Sequence, residues 1–122
     1  MADSARDLVE RTFRFAERVR RFVNELPRSP ANYEDVRQVV RSSGSVAANY
    51  LESQEGLSRK DFFYRIKICR KEARESWLWL RLIDVGSADH PARERDLLVI
   101  EADELKRIFS SIAGKDDTAE QR

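Results

Sequence analysis

The sequence predicts an all-α protein, an antiparallel up-down-up-down four-helix bundle. Three observations carry the prediction. Apolar residues recur at alternating steps of three and four along four long segments. Short turn signals separate those segments, and Gly and Pro number only four and three in 122 residues, too few to punctuate a multi-stranded sheet. Each stripe must find partner helices running nearly parallel to it, and short connections make sequential neighbours antiparallel. The length suits one domain of roughly 100–150 residues. It is expected over residues 1–114, followed by a polar tail, 115–122, expected to be disordered.

The first segment runs from about Ala5 to Leu26 through Leu8, Thr12, Phe15, Val19 and Phe22, and Pro27 ends it. Glu10 with Arg14 and Glu17 with Arg21 stand four apart on its far side, in the favourable order for a helix. The second is expected from Asn32, read as an N-cap after Pro30, to about Gln54, through Val36, Val40, Ser43, Ala47 and Tyr50. Gly44 in its middle costs about 1 kcal/mol against Ala. Gly56-Leu57-Ser58 is the next break, and Ser58 with Asp61 three residues on resembles a capping box. The third segment follows, Arg59 to about Val85, closed by the turn Gly86 to Pro91. The fourth, about Ala92 to Ala113, carries Leu98, Ala102, Leu105, Phe109 and Ile112.

Composition narrows the function classes. Charged residues make up 37% of the chain against about 25% in ordinary soluble domains, yet 23 Lys and Arg nearly balance 22 Asp and Glu. A net charge of +1 excludes histone-like bulk basicity, so any nucleic-acid argument rests on local patterning. No stretch approaches the ~18 uncharged apolar residues of a membrane span, and no signal-peptide pattern opens the chain. A cytoplasmic protein with no membrane partner is expected. The single cysteine, Cys69, falls on the apolar stripe of the third segment, and the single histidine, His90, is placed in a turn. A Cys-His nucleophilic pair is therefore not expected, and one turn histidine cannot supply the Glu-x-x-His pairs of a di-iron bundle. Four isolated glycines write neither a Walker loop nor a dinucleotide fingerprint. No catalytic residue, metal or cofactor is expected.

The third segment is the informative one. Turned at 100° per residue, it puts Phe62, Ile66, Cys69, Ala73, Trp77 and Leu80 on one face, and Tyr64, Ile68, Trp79 and Leu82 on the opposite side. Either a neighbouring helix wraps far enough to cover the second set, or these four form an interface between copies of the chain; self-association is the preferred reading. Between the two runs a cationic stripe of Lys60, Lys67, Lys71, Arg74 and Arg81. Ser58 to Val85 carries eight basic residues against four acidic ones. The stripe reads as a solvated or ion-paired face, or as a surface that tracks phosphates on RNA or DNA. On the second segment Ser42, Ser45, Asn49 and Glu52 form a small polar stripe. It is solvent-exposed, or a close helix contact in which Glu52 meets Arg70 or Arg74.

The segment Ser42-Ser43-Gly44-Ser45-Val46 with Asn49-Tyr50-Leu51-Glu52, then Ser58-Arg59-Lys60-Asp61-Phe62, then Ile68 to Ser76, resembles a known family. These are the four-helix bundle proteins encoded in intervening sequences of bacterial large-subunit ribosomal RNA genes. The match covers roughly Val36 to Ile83, and Ser53 stands where the pattern usually has Gly. The resemblance implies a homo-oligomer, typically a pentamer, without demonstrated enzymatic activity. Its relatives include accessory variability proteins of diversity-generating retroelements, which implies nucleic acid and a reverse transcriptase as partners.

Overall fold

The first apolar stripe forms α1, Ser4–Val23, in a computed structural model that describes residues 4–116, with side chains from Asp7 onward. The helix stops three residues short of the expected Leu26. Residues before a proline are pushed out of helical geometry, and the amides of Asn24, Glu25 and Leu26 fall back to carbonyls three residues earlier. Leu26 still packs against the core.

Helix α2, Pro30–Ser53, starts two residues before expectation because Ser29 is its N-cap, accepting from the Asn32 amide at 3.1 Å. Pro30 then takes a first-turn position where its missing amide costs nothing. Asn32 is released from capping and buried. Its Nδ2 donates to the Pro27 and Asp84 carbonyls at 2.9 and 2.8 Å, and its Oδ1 accepts from the Asp84 amide at 3.0 Å. Gly44 leaves the helix unbroken; a Cβ there would stand 3.2 Å from Nη2 of Arg20, which crosses from α1. After Ser53 the chain reverses through Gly56 at φ +73°, the left-handed conformation glycine adopts freely.

Ser58 caps α3, Arg59–Leu82, accepting from the Asp61 amide at 2.9 Å as its spacing predicts. The helix ends three residues before Val85, with Ile83 turning to extended backbone. Helix α4, Asp89–Ala113, begins three residues earlier than expected, so His90 and Pro91 lie in its first turn rather than in the loop. Pro is tolerated there because a first-turn amide has no intrahelical partner.

Each helix lies alongside two others: α1 and α3 both flank α2 and α4, and across the diagonal α2 and α4 meet through side chains in the core, as Tyr50 does with Phe109. Cross-links run in opposite number order, as in Arg11–Glu101 with Arg18–Glu94 and Ser42–Ser76 with Asn49–Arg65, so neighbours are antiparallel. Phe15, Val19, Phe22, Val39, Val46, Ile66, Leu80, Leu98, Leu105 and Phe109 fill the centre. The α1–α4 seam is closed by charge. Arg11 makes a fork of 2.8 Å bonds to Glu101 and one of 2.8 Å to Glu104, and the bond to Glu101 holds its pKa above the ordinary arginine value. Lys115 and Asp116 depart from the expected disordered tail. The Asp116 amide donates to the Ala113 carbonyl, and its buried carboxylate accepts from Lys67. Residues 117–122 lie outside the described residues. No helix among the described residues is long and apolar enough to cross a membrane.

Candidate nucleic-acid interface

Helix α3 turns Cys69 and Ser76 towards α2, where they meet the Val46 carbonyl and the Ser42 hydroxyl. The basic residues that fall on its other flank therefore face the α3–α4 seam. There the surface sinks into an open groove of about 760 Å³. From α3 it is lined by Lys67, Arg70, Lys71, Arg74, Glu75, Trp77 and Leu78, and from α4 by Lys106 and Ser110. Lys67 to Arg74 spread about 10 Å along the helix axis.

Three of the five expected stripe residues, Lys67, Lys71 and Arg74, thus come together in one concavity. Lys71 and Arg74 are exposed and, with Arg70, make no ion pair among the described residues. Lys67 is already engaged, its Nζ 3.0 Å from Asp116 Oδ2. Lys60 is exposed near the start of α3 and stands outside the groove. Arg81 also lies beyond it, with its Cζ 4.3 Å from the Trp77 ring centroid. The groove's own acid, Glu75, is drawn the other way by Arg41 at 3.3 Å. Arg70 and Lys106 were not expected there. Arg70 adjoins Lys71 in the sequence, but Lys106 is brought in only by the register of α4 against α3.

The sequence profile of the 23S rRNA-intervening sequence proteins matches residues 5–111, nearly the whole chain. The chain belongs to that family. A solved structure from Bacteroides thetaiotaomicron, described as a protein with unknown function from the S23 ribosomal protein family, is similar with a TM-score of 0.73 and 25% identity. The match covers 87% of this chain and 97% of that one. None of the curated proteins matches.

In this member of the intervening-sequence family the polar stripe of α2 divides. Ser42 is fully buried, its hydroxyl 2.7 Å from that of Ser76, which lets α2 and α3 approach closely. Asn49 donates to Ser45 at 2.9 and 3.0 Å and accepts from Arg65 at 3.0 Å. Glu52 is exposed and does not meet Arg70 or Arg74, because those two face α4 while Glu52 sits on α2, across the body of α3. Arg41 makes the cross-helix ion pairs instead, to Glu72 at 3.4 Å and Glu75 at 3.3 Å.

The four apolar residues named on the back of α3 also separate. Tyr64 and Leu82 are 58% and 57% exposed, and Leu78 beside them is 41% exposed. Ile68 and Trp79 are half-buried, and Trp79 packs against the bundle's own core with its Nε1 buried and unpartnered. Cys69 is sealed inside, and burial pushes its thiol up to about 12. His90 is exposed, with Nδ1 2.8 Å from Glu25 Oε1. Among the described residues no three His, Cys, Asp or Glu side chains cluster so as to hold a metal ion.

Proposed function

We propose that this protein is a non-enzymatic, cytoplasmic bacterial accessory protein that binds the backbone of RNA or DNA as a homo-oligomer. One observation carries the proposal: Arg70, Lys71, Arg74 and Lys106 converge on a single groove with Lys67, and the first three have no acid pairing them within it. Such a cluster has the chemistry to displace counterions from phosphates, an affinity that falls steeply with salt. Self-association, as a pentamer on the family resemblance, would multiply the effect by presenting several copies of the groove at high effective concentration. Tyr64 and Leu82, more than half exposed, support that half of the reading.

The test is fluorescence anisotropy with labelled RNA and duplex DNA at roughly 50 and 200 mM salt. Binding should weaken as salt rises, and Lys71→Glu with Arg74→Glu should abolish it without unfolding the helices. No binding at the lower salt would favour a bundle that docks proteins, such as a reverse transcriptase, and leaves nucleic acid alone.

A further inference from the structure

The groove is not lined by charge alone. Trp77 and Leu78 form part of its wall among Lys67, Lys71 and Arg74, and Leu78 is 41% exposed. A duplex presents phosphates, sugars and base edges but keeps its base faces stacked inside, so an indole that does not wedge between base pairs has no ring face to stack on there. A single strand offers both phosphates and unstacked base faces, and stacking on an aromatic side chain is indifferent to base identity. The Trp77 ring is fixed in place, half-buried against the core with the Arg81 guanidinium 4.3 Å from its centroid over one face, so a base would meet the part of the ring that borders the groove. We infer that the α3–α4 groove takes single-stranded nucleic acid, with phosphates on Lys71, Arg74 and Lys106 and a base against Trp77. This inference rests on the groove being a nucleic-acid site, and its test separates the two.

Single-stranded RNA, single-stranded DNA, duplex DNA and heparin, which carries sulfates but no bases, would be titrated against the full chain at low salt. Either single strand should bind roughly tenfold more tightly than duplex, with RNA and DNA compared directly for a contribution of the 2′-hydroxyl. Indole emission should be quenched by single strands and not by heparin. That quenching should survive Trp79→Phe, which leaves Trp77 as the lone indole, and disappear in Trp77→Phe with helicity retained. Equal affinity for duplex and single strand, or binding without quenching in Trp79→Phe, overturns the base contact and leaves the phosphate reading standing. Failure of all four polyanions to bind removes both.

Discussion

Cys69 shows how little chemistry a buried thiol retains. Its Sγ donates to the Val46 carbonyl at 3.5 Å, and desolvation lifts its pKa from 9.0 to about 12. The folded thiol holds its proton more tightly than the unfolded one, so its contribution to stability is intact below about pH 9 and is lost as pH climbs towards 12. Urea denaturation across that window should show an alkaline loss that shrinks in Cys69→Ala. A residual slope should stay, because burial also raises the pKa of Tyr50. At neutral pH Cys69→Ala should cost about 1 kcal/mol for the small cavity, and thiol reagents should label the native protein only through unfolding. Asp116 is the second residue with a measurable consequence. Its carboxylate engages the Lys67 ammonium at 3.0 Å and, in the proposed function, would compete with a phosphate for it. Asp116→Asn should therefore tighten RNA binding roughly two- to fivefold, the scale of a part-exposed ion pair. Weaker binding would mean that the acid positions Lys67 instead of competing for it.

At the scale of the element, Asn32 binds two loops into one. Asn32→Ala removes three hydrogen bonds and orphans the Asp84 amide, so it should cost about 2–4 kcal/mol by thermal or urea unfolding, against about 1 kcal/mol for Ser58→Ala at the α3 cap. The contrast measures what was legible in the sequence. Ser58 is legible as a cap because cap and amide are three residues apart. Asn32 has the same local signature, but Ser29 is the cap and Asn32 answers to Asp84, 52 residues away, where no local pattern reaches. Helix number and order follow from the four-three periodicity; of the eight helix ends, four lie two or three residues from expectation and the other four within one. The candidate site was half legible for the same reason. Lys71 and Arg74 lie on one helix and could be grouped from spacing, whereas the entry of Lys106 and the neutralisation of Lys67 by Asp116 depend on how α4 and the segment after it lie against α3. Helical spacing alone puts Trp79 on an outer face because it carries no information on neighbouring helices; the bundle partly covers it.

For the whole molecule the decisive quantity is the mass of the particle. Exposed large apolar side chains occur on all four helices, among them Phe13, Leu51, Leu82 and Ile100, and the oligomer reading needs a second copy to cover a contiguous set of them. Tyr64→Glu with Leu82→Glu places two charges on the outer face of α3 without touching the core. Light scattering should then report a smaller particle of unchanged helicity. A monomer in the unmodified protein at micromolar concentration would end the oligomer reading. In the core, Phe109→Ala should cost about 3–5 kcal/mol, because that ring is fully buried and stands 5.8 Å from the ring of Tyr50.

The two ends of the bundle are fastened by different means. At one end Asn32 ties Pro27 to Asp84, and Arg95 donates to the Ile83 carbonyl at 3.1 Å, so directional bonds, partly buried, hold the α1–α2 and α3–α4 connections together. At the other, α3 is clasped to the residues after α4 by Lys67 on Asp116 and by Arg59 on the Lys115 carbonyl. Ions in solution weaken an ion pair with one part-exposed partner, as Lys67 is, more than they touch a buried amide. Salt should therefore loosen the clasp between α3 and the segment after α4, which borders the groove at Lys67, while the Asn32 end holds. Amide exchange in the last turn of α4 should quicken with ionic strength while exchange around Asn32 stays constant.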